Sequence, residues 1–198
     1  ASLVGSEMCI RDRIMTKKVA FLFPGQGSQA VGMGKDLYET SESAKQVFDT
    51  ADEVLGKSIT TMCFEGPEEA LKQTVNTQPS IVTMSIAALE ALKDKCEVIP
   101  SYVAGHSLGE YCAMYASGVM SLENTLKAIQ KRADLMGSAK GGAMSAVLNA
   151  SEEALKEALK DASEVGYVDV ANYNSPAQVV ITGDEAAVAK AGELLLAK

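Results

Sequence analysis

Val98-Ile99-Pro100-Ser101-Tyr102-Val103-Ala104 runs directly into Gly105-His106-Ser107-Leu108-Gly109, after which Glu110 to Ser117 reads as helix. A strand with an early proline therefore passes through a glycine-flanked serine into a helix. The residue types follow from that geometry. A side chain presented on a sharp strand-to-helix turn needs small neighbours two residues to either side, because the backbone there approaches other chain closely. The N–H of Leu108 then sits at a helix N-terminus, aimed at an oxyanion, where the peptide dipoles favour negative charge. The pattern by itself is weak, since glycine and serine are common. Its place between strand and helix makes Ser107 a candidate nucleophile rather than a plain turn serine.

Upstream, Val19-Ala20-Phe21-Leu22-Phe23 is a short apolar run ended by Pro24-Gly25, which suits a buried parallel strand. Asp36 to Leu55 reads as one helix, with Leu37, Val47, Ala51, Val54 and Leu55 as a partial apolar stripe. Gly66-Pro67 breaks the chain, and Pro67-Glu68-Glu69 begins another helix with acids in its first turn. Gln78-Pro79 precedes a further start, and Ile81 to Leu92 is apolar enough for a largely buried helix. Downstream, a helix spans Leu122 to Met136. Strands alternating with helices predict an α/β layer with a mostly parallel sheet.

Gly141-Gly142 marks a change of texture. Ala143 to Leu148 reads as a strand, and Ser151 to Asp161 as a helix capped by Ser151 with Glu152 and Glu153 in its first turn. Gly166 to Ala171 and Gln178 to Thr182 follow as strands, and Glu185 to Leu196 as a helix. This β-α-β-β-α order is a ferredoxin-like split βαβ unit without its last strand. The expected fold class is α/β: a hydrolase-like, parallel-sheet large subdomain, incomplete, carrying an inserted ferredoxin-like small subdomain. The first would occupy residues 15–142 and the second residues 143–198.

Composition narrows the function. The 198-residue chain has a net charge of −8, which argues against a surface that tracks nucleic-acid phosphates. No apolar run reaches the length of a membrane span. Cys9, Cys63, Cys96 and Cys112 are scattered without metal-ligand spacing, and there is one histidine, so no metal site is expected. Free thiols in a reducing cytoplasm are the expectation. Residues 1–14 look foreign to the rest of the chain and lack the apolar core of a secretory signal, whereas Met15-Thr16-Lys17-Lys18 leads into the first strand as a natural start would.

A serine hydroxyl needs a base to take its proton. The sole histidine, His106, adjoins Ser107 on an extended segment, where successive side chains point to opposite faces, so it reads as a structural histidine bonding nearby backbone. Two alternatives stay open. A carboxylate or lysine acts as base, or the histidine lies beyond Lys198, which agrees with the unfinished small subdomain. Truncation is the favoured expectation.

Gly25-Gln26-Gly27-Ser28-Gln29-Ala30 fits a dinucleotide-binding pattern after a strand. That site also needs a second strand ending in an acid about twenty residues on, and the corresponding stretch reads as a charged helix. The better reading is a glycine-rich loop whose backbone N–H groups approach a ligand oxygen and supply a second oxyanion donor.

Phe23-Pro24-Gly25-Gln26-Gly27-Ser28-Gln29, Thr77-Gln78-Pro79 and Gly105-His106-Ser107-Leu108-Gly109-Glu110-Tyr111 together resemble the malonyl-CoA:acyl-carrier-protein transacylases and the related acyltransferase domains of fatty-acid and polyketide synthases. The likeness runs from about Lys17 to Lys198. It implies that Ser107 takes up malonyl as an ester and that the N–H groups of Gln26 and Leu108 form the oxyanion hole. It also implies that Arg132, in Gln130-Lys131-Arg132-Ala133, grips the malonyl carboxylate. A guanidinium suits that task through two parallel hydrogen bonds. Leu108 is similar to the residue of malonyl-selecting members. Asn172, Asn174 and Gln178 match a loop lining the entrance for coenzyme A or the carrier arm, Gln78 lies on the tunnel side, and His106 is kept with these substrate-binding candidates. The resemblance implies no cofactor, malonyl-CoA as substrate, acyl carrier protein as partner and a monomeric parent. The chain departs from the family in two respects: the catalytic histidine, which comes after the small subdomain there, and the later segment that supplies the group orienting it are not in this sequence, so the chain as given is expected to be inactive.

Two other readings compete with this one. A serine hydrolase or thioesterase would use the same turn but has no need of a cation for a free carboxylate. A non-catalytic carrier-binding module would explain the missing catalytic histidine, but an unfinished lobe with exposed sheet edges favours a fragment.

Overall fold

The computed structural model describes residues 18–196. The readings of residues 1–14 as a foreign tail and of Met15 as a start lie outside them. The chain divides into two compact units between Ser138 and Ala139.

In the first unit β1 (Ala20–Phe23) and β2 (Tyr102–Gly105) pair in parallel, with Ala20 opposite Tyr102 and Phe23 opposite Gly105. The strand expected from Val98 is shorter than its apolar run. Pro100 has no N–H to give, and pairing opens with the next residue, where Ser101 N–H donates to Val19 O at 2.7 Å.

Between the two strands lie α1 (Lys35–Thr40), α2 (Glu42–Leu55), α3 (Ile59–Glu65), α4 (Glu68–Leu71) and α5 (Thr74–Lys95). The single helix expected over Asp36 to Leu55 is two helices. Ser41 takes extended dihedrals, accepts from Ala44 N–H at 3.2 Å and donates its own hydroxyl hydrogen to Asp94 Oδ2 at 3.2 Å. A serine that can cap one helix and tether it to another outweighs the continuous apolar stripe.

The second correction concerns Pro79, expected just before a helix start but found inside α5. Proline in a helix interior leaves the carbonyl four residues back without its donor. Here that carbonyl, Val75 O, accepts instead from Lys57 Nζ at 3.0 Å and Gln130 Nε2 at 3.4 Å. Tertiary donors replace the lost one, and the helix continues.

α6 (Gly109–Ala116) and α7 (Leu122–Ser138) follow β2. α5 is the central helix, packed against α2, α3, α6 and α7. Phe48, Val82, Ile86, Cys112, Leu126 and Ile129 form the core with Leu108. Leu22 is 77% exposed and Tyr102 61%, so the two-stranded sheet has apolar surface that no described residue covers.

The second unit contains β3 (Ala143–Leu148), α8 (Glu152–Ala162), β4 (Val168–Ser175), β5 (Gln178–Gly183) and α9 (Glu185–Leu196). Its antiparallel sheet has the order β3-β5-β4. Leu155, Val168, Ile181 and Val188 are among its buried core residues, and Ser151 caps α8 by accepting from Ala154 N–H at 3.1 Å. The order is that of a ferredoxin-like unit represented by three of its four strands, and β3 has no neighbour on its outer edge among the described residues. The fold class is thus α/β, a hydrolase-like parallel-sheet subdomain with a ferredoxin-like small subdomain. Among the described residues no helix is long and apolar enough to cross a membrane. No group of three or more His, Cys, Asp or Glu that could hold a metal is found there either.

Candidate active site

The site begins where β1 and β2 end side by side. Their pairing extends one step beyond the strands, with His106 N–H donating to Phe23 O at 3.0 Å. The chain leaving β1 and the chain leaving β2 therefore emerge together. The glycines are dictated by this crowding. A Cβ on Gly105 would lie 1.9 Å from the carbonyl carbon of Gly109, and one on Gly109 would lie 2.5 Å from Phe23 O and 2.7 Å from Pro24 O. A Cβ on Gly25 would meet His106 Nδ1 at 2.4 Å. The His106 ring thus lies against the loop after β1.

Ser107 has φ of 56°, one of two non-glycine residues in the left-handed region among those described. That conformation costs an L-residue roughly 1–2 kcal/mol, and strain of this kind concentrates at functional turns. Ser107 is exposed, while the next side chain, Leu108, is fully buried in the core. The turn is pinned on its apolar side and presents its hydroxyl outward.

Behind Ser107 the first turn of α6 is closed by Gly109 N–H to His106 O and Glu110 N–H to Ser107 O. The N–H of Leu108 makes no hydrogen bond among the described residues, and neither does that of Gln26. The loop carrying Gln26 is shaped by its own side chains: Ser28 Oγ donates to Gly25 O at 2.9 Å and Gly27 N–H to Gln29 Oε1 at 2.8 Å. The N–H groups of Gln26 and Leu108 stand on adjacent loops.

The third component comes from α7. Arg132 Nη2 donates to Ser107 Oγ at 2.9 Å, and Arg132 Nη1 donates to Gln78 Oε1 at 2.6 Å. Gln78 is fully buried on α5, where it anchors the half-buried arginine. Its other amide atom, Nε2, donates to Met136 Sδ at 3.3 Å. Sequence reasoning missed Met136. Its signal is the spacing, one helical turn past Arg132 and so on the same side of α7.

The structure thus joins Ser107, Arg132 and Gln78 by hydrogen bonds and places the loop of Gln26 beside the turn of His106 and Leu108. Asn172, Asn174 and Gln178 belong to the second unit, and the loop expected to hold them is mostly strand. Asn172 pairs with Val180 and Ser175 with Gln178 across β4 and β5, leaving Pro176-Ala177 as the turn. Register shifts between Val170 and Asn172 and between Tyr173 and Ser175 let β4 run on beyond its apolar stretch. Asn174 Nδ2 donates to Gln178 Oε1 at 3.0 Å across this hairpin.

A serine on a strained strand-to-helix turn, over paired parallel strands with helices beside them, makes this an α/β protein with a strand-to-helix elbow at the end of its sheet. The chain belongs to the acyl transferase domain family, whose model matches residues 20–197. It is 46% identical over 181 residues to the malonyl CoA-acyl carrier protein transacylase of Bacillus subtilis, covering 89% of this chain and 57% of that protein. The chain therefore spans little more than half the length of that relative. Among solved structures, the malonyl CoA-acyl carrier protein transacylase of Clostridium perfringens superposes with a TM-score of 0.85 at 42% identity, over 91% of this chain and 58% of that one. A malonyl-transacylase in complex with a type II polyketide acyl-carrier protein gives a TM-score of 0.85 at 37% identity, over 91% of this chain and 60% of that one.

Proposed function

We propose that the protein to which this chain belongs transfers a malonyl group from coenzyme A to the thiol of an acyl carrier protein, for fatty-acid synthesis in the cytoplasm, through an ester on Ser107. The observation that carries the reading is the contact of Arg132 Nη2 with Ser107 Oγ. A fixed positive charge one hydrogen bond from the nucleophile suits an acyl group that ends in a carboxylate, and such a group can be gripped by two parallel N–H bonds.

In this mechanism Ser107 Oγ attacks the thioester carbonyl carbon while its proton passes to a base. The negative charge that develops on the carbonyl oxygen is met by the unpartnered N–H groups of Gln26 and Leu108. The C–S bond breaks, coenzyme A leaves as the thiol on taking a proton, and the malonyl ester remains. The carrier thiol then attacks the ester carbonyl by the reverse sequence, giving up its proton as the ester C–O bond breaks and Ser107 regains its hydroxyl. Gln78 holds Arg132. No cofactor takes part.

The base is the missing component: among the described residues the Ser107 hydroxyl meets Arg132, and the one histidine of the sequence, His106, has its ring against Gly25. Loss of the base from a serine nucleophile costs on the order of 10⁶ in rate. The chain alone is accordingly inactive, while a protein of the relatives' full length that contains it is active.

Intact-mass measurement after incubation with malonyl-CoA or acetyl-CoA tests this. The full-length protein gains one malonyl group on Ser107 and Ser107→Ala gains none, whereas the 198-residue chain stays unmodified. Arg132→Ala lowers malonyl loading about 100-fold or more, as expected for removal of a charge-assisted grip, and leaves acetyl loading in place. Equal loading of the two acyl groups by the unmutated protein would sink the carboxylate reading.

A further inference from the structure

We infer that Met136 is a positioning residue for Arg132: its thioether takes the N–H end of the Gln78 amide and so reinforces the hold of the oxygen end on the guanidinium. The inference rests on the reading of Arg132 as the carboxylate grip and names a residue that sets it.

Gln78 is buried without exposure, between a guanidinium on one side and a thioether on the other. A primary amide can lie in two orientations related by a half-turn, with nearly the same shape. The neighbours decide between them. Arginine only donates, and a thioether sulfur only accepts. One orientation satisfies both, with Oε1 toward Arg132 Nη1 at 2.6 Å and Nε2 toward Met136 Sδ at 3.3 Å. The flipped orientation sets N–H against N–H at the arginine and oxygen against sulfur at the methionine. Buried mismatches of that kind are costly because water cannot repair them.

Met136 therefore acts on the chemistry from a distance. Holding the Gln78 oxygen on the Arg132 side keeps Nη1 engaged there and leaves Nη2 directed at Ser107, where it contacts Oγ at 2.9 Å. Met136 is 45% exposed, so position 136 tolerates a polar side chain as well as an apolar one. Leucine there would fill the same space but accept nothing. Glutamine would restore an acceptor through its amide oxygen.

The test measures steady-state transfer from malonyl- and acetyl-thioesters by a protein of the relatives' full length containing this chain, with the variants M136L, M136Q and R132A. M136L is expected to raise KM for the malonyl thioester about 5-fold, the scale of one weak hydrogen bond, with kcat within about twofold. The acetyl constants should not move, and M136Q should return the malonyl KM to near the starting value. A packing role alone predicts the reverse order, leucine harmless and glutamine damaging. That order, or equal changes with both thioesters, overturns the inference. R132A separates the two levels. Loss of the malonyl preference in R132A but not in M136L removes the inference about Met136 alone. A preference that survives R132A removes the carboxylate grip, and the role of Met136 with it.

Discussion

Gly105 and Gly109 are packed backbone to backbone: a Cβ on Gly105 would stand 1.9 Å from Gly109 C, 2.1 Å from Gly109 O and 2.3 Å from Glu110 N. These atoms belong to the first turn of α6 and cannot swing aside as the end of a flexible side chain can. Gly105→Ala must therefore push the helix off the strand, moving Ser107 with it.

The expected cost of that substitution is about 3 kcal/mol, the upper part of the range for overpacking, together with loss of malonyl loading. Urea unfolding of the full-length protein and intact-mass measurement report the two effects. Gly192→Ala is the control, because a Cβ there meets nothing within 4 Å and the residue lies inside α9. It should raise stability by up to about 1 kcal/mol through helix propensity. A Gly105→Ala protein as stable and active as the parent would show that the turn is not close-packed.

Ser107 offers a test of strain at the same turn. Alanine and glycine both remove the hydroxyl, so both variants should fail to load malonyl. They differ in what φ of 56° costs them. Glycine relieves roughly 1–2 kcal/mol of left-handed strain and gives back about 0.4–1 kcal/mol in unfolded-chain entropy. Ser107→Gly should therefore be more stable than Ser107→Ala by about 0.5–1 kcal/mol in urea unfolding. Equal stabilities, or alanine the more stable, would remove strain from the account of this turn.

How far these features were legible depends on the range of the interactions behind them. The turn at Ser107 could be read because its cause is local: a strand, two glycines and a helix, all close in sequence. Arg132 could not, since a lone arginine on a helix looks solvated until α5 brings Gln78 beside it, and only the family resemblance pointed to it. The misread helices fail for the same reason. Pro79 looked like a boundary because Lys57 and Gln130, which bond the carbonyl it leaves open, lie far away in sequence. Ser41 was passed over because its second partner, Asp94, is distant as well. Met136 carries no signal of its own in the sequence, since its sulfur takes on a role only against a buried amide. In the small unit the β4–β5 ladder carried polar residues such as Asn172 into strand through pairing that their own propensities oppose.

The cysteines give a prediction about the core itself. Cys63 in α3 and Cys112 in α6 are fully buried, and burial pushes both thiols up to about 12, whereas Cys96 at the end of α5 is half-buried. The thiolate is the form that reacts, and at pH 8 a thiol with that value is ionised in roughly one molecule in ten thousand. Iodoacetamide at pH 8 should therefore label Cys96 in the folded protein and reach Cys63 and Cys112 only after denaturation, as read by peptide mapping. The same shifts fix a sign for stability. Folding holds these protons to about pH 12 while the unfolded thiols release them near about 8.5. The folded state thus binds more protons in alkali, and the contribution is whole below about pH 8.5 and declines as pH rises toward 12. A Cys63→Ala, Cys112→Ala protein should show a shallower alkaline loss of stability than the parent, whatever its stability at pH 7. Labelling of Cys63 or Cys112 as fast as Cys96 under native conditions would mean that α3 and α6 open from the core far more readily than their burial implies.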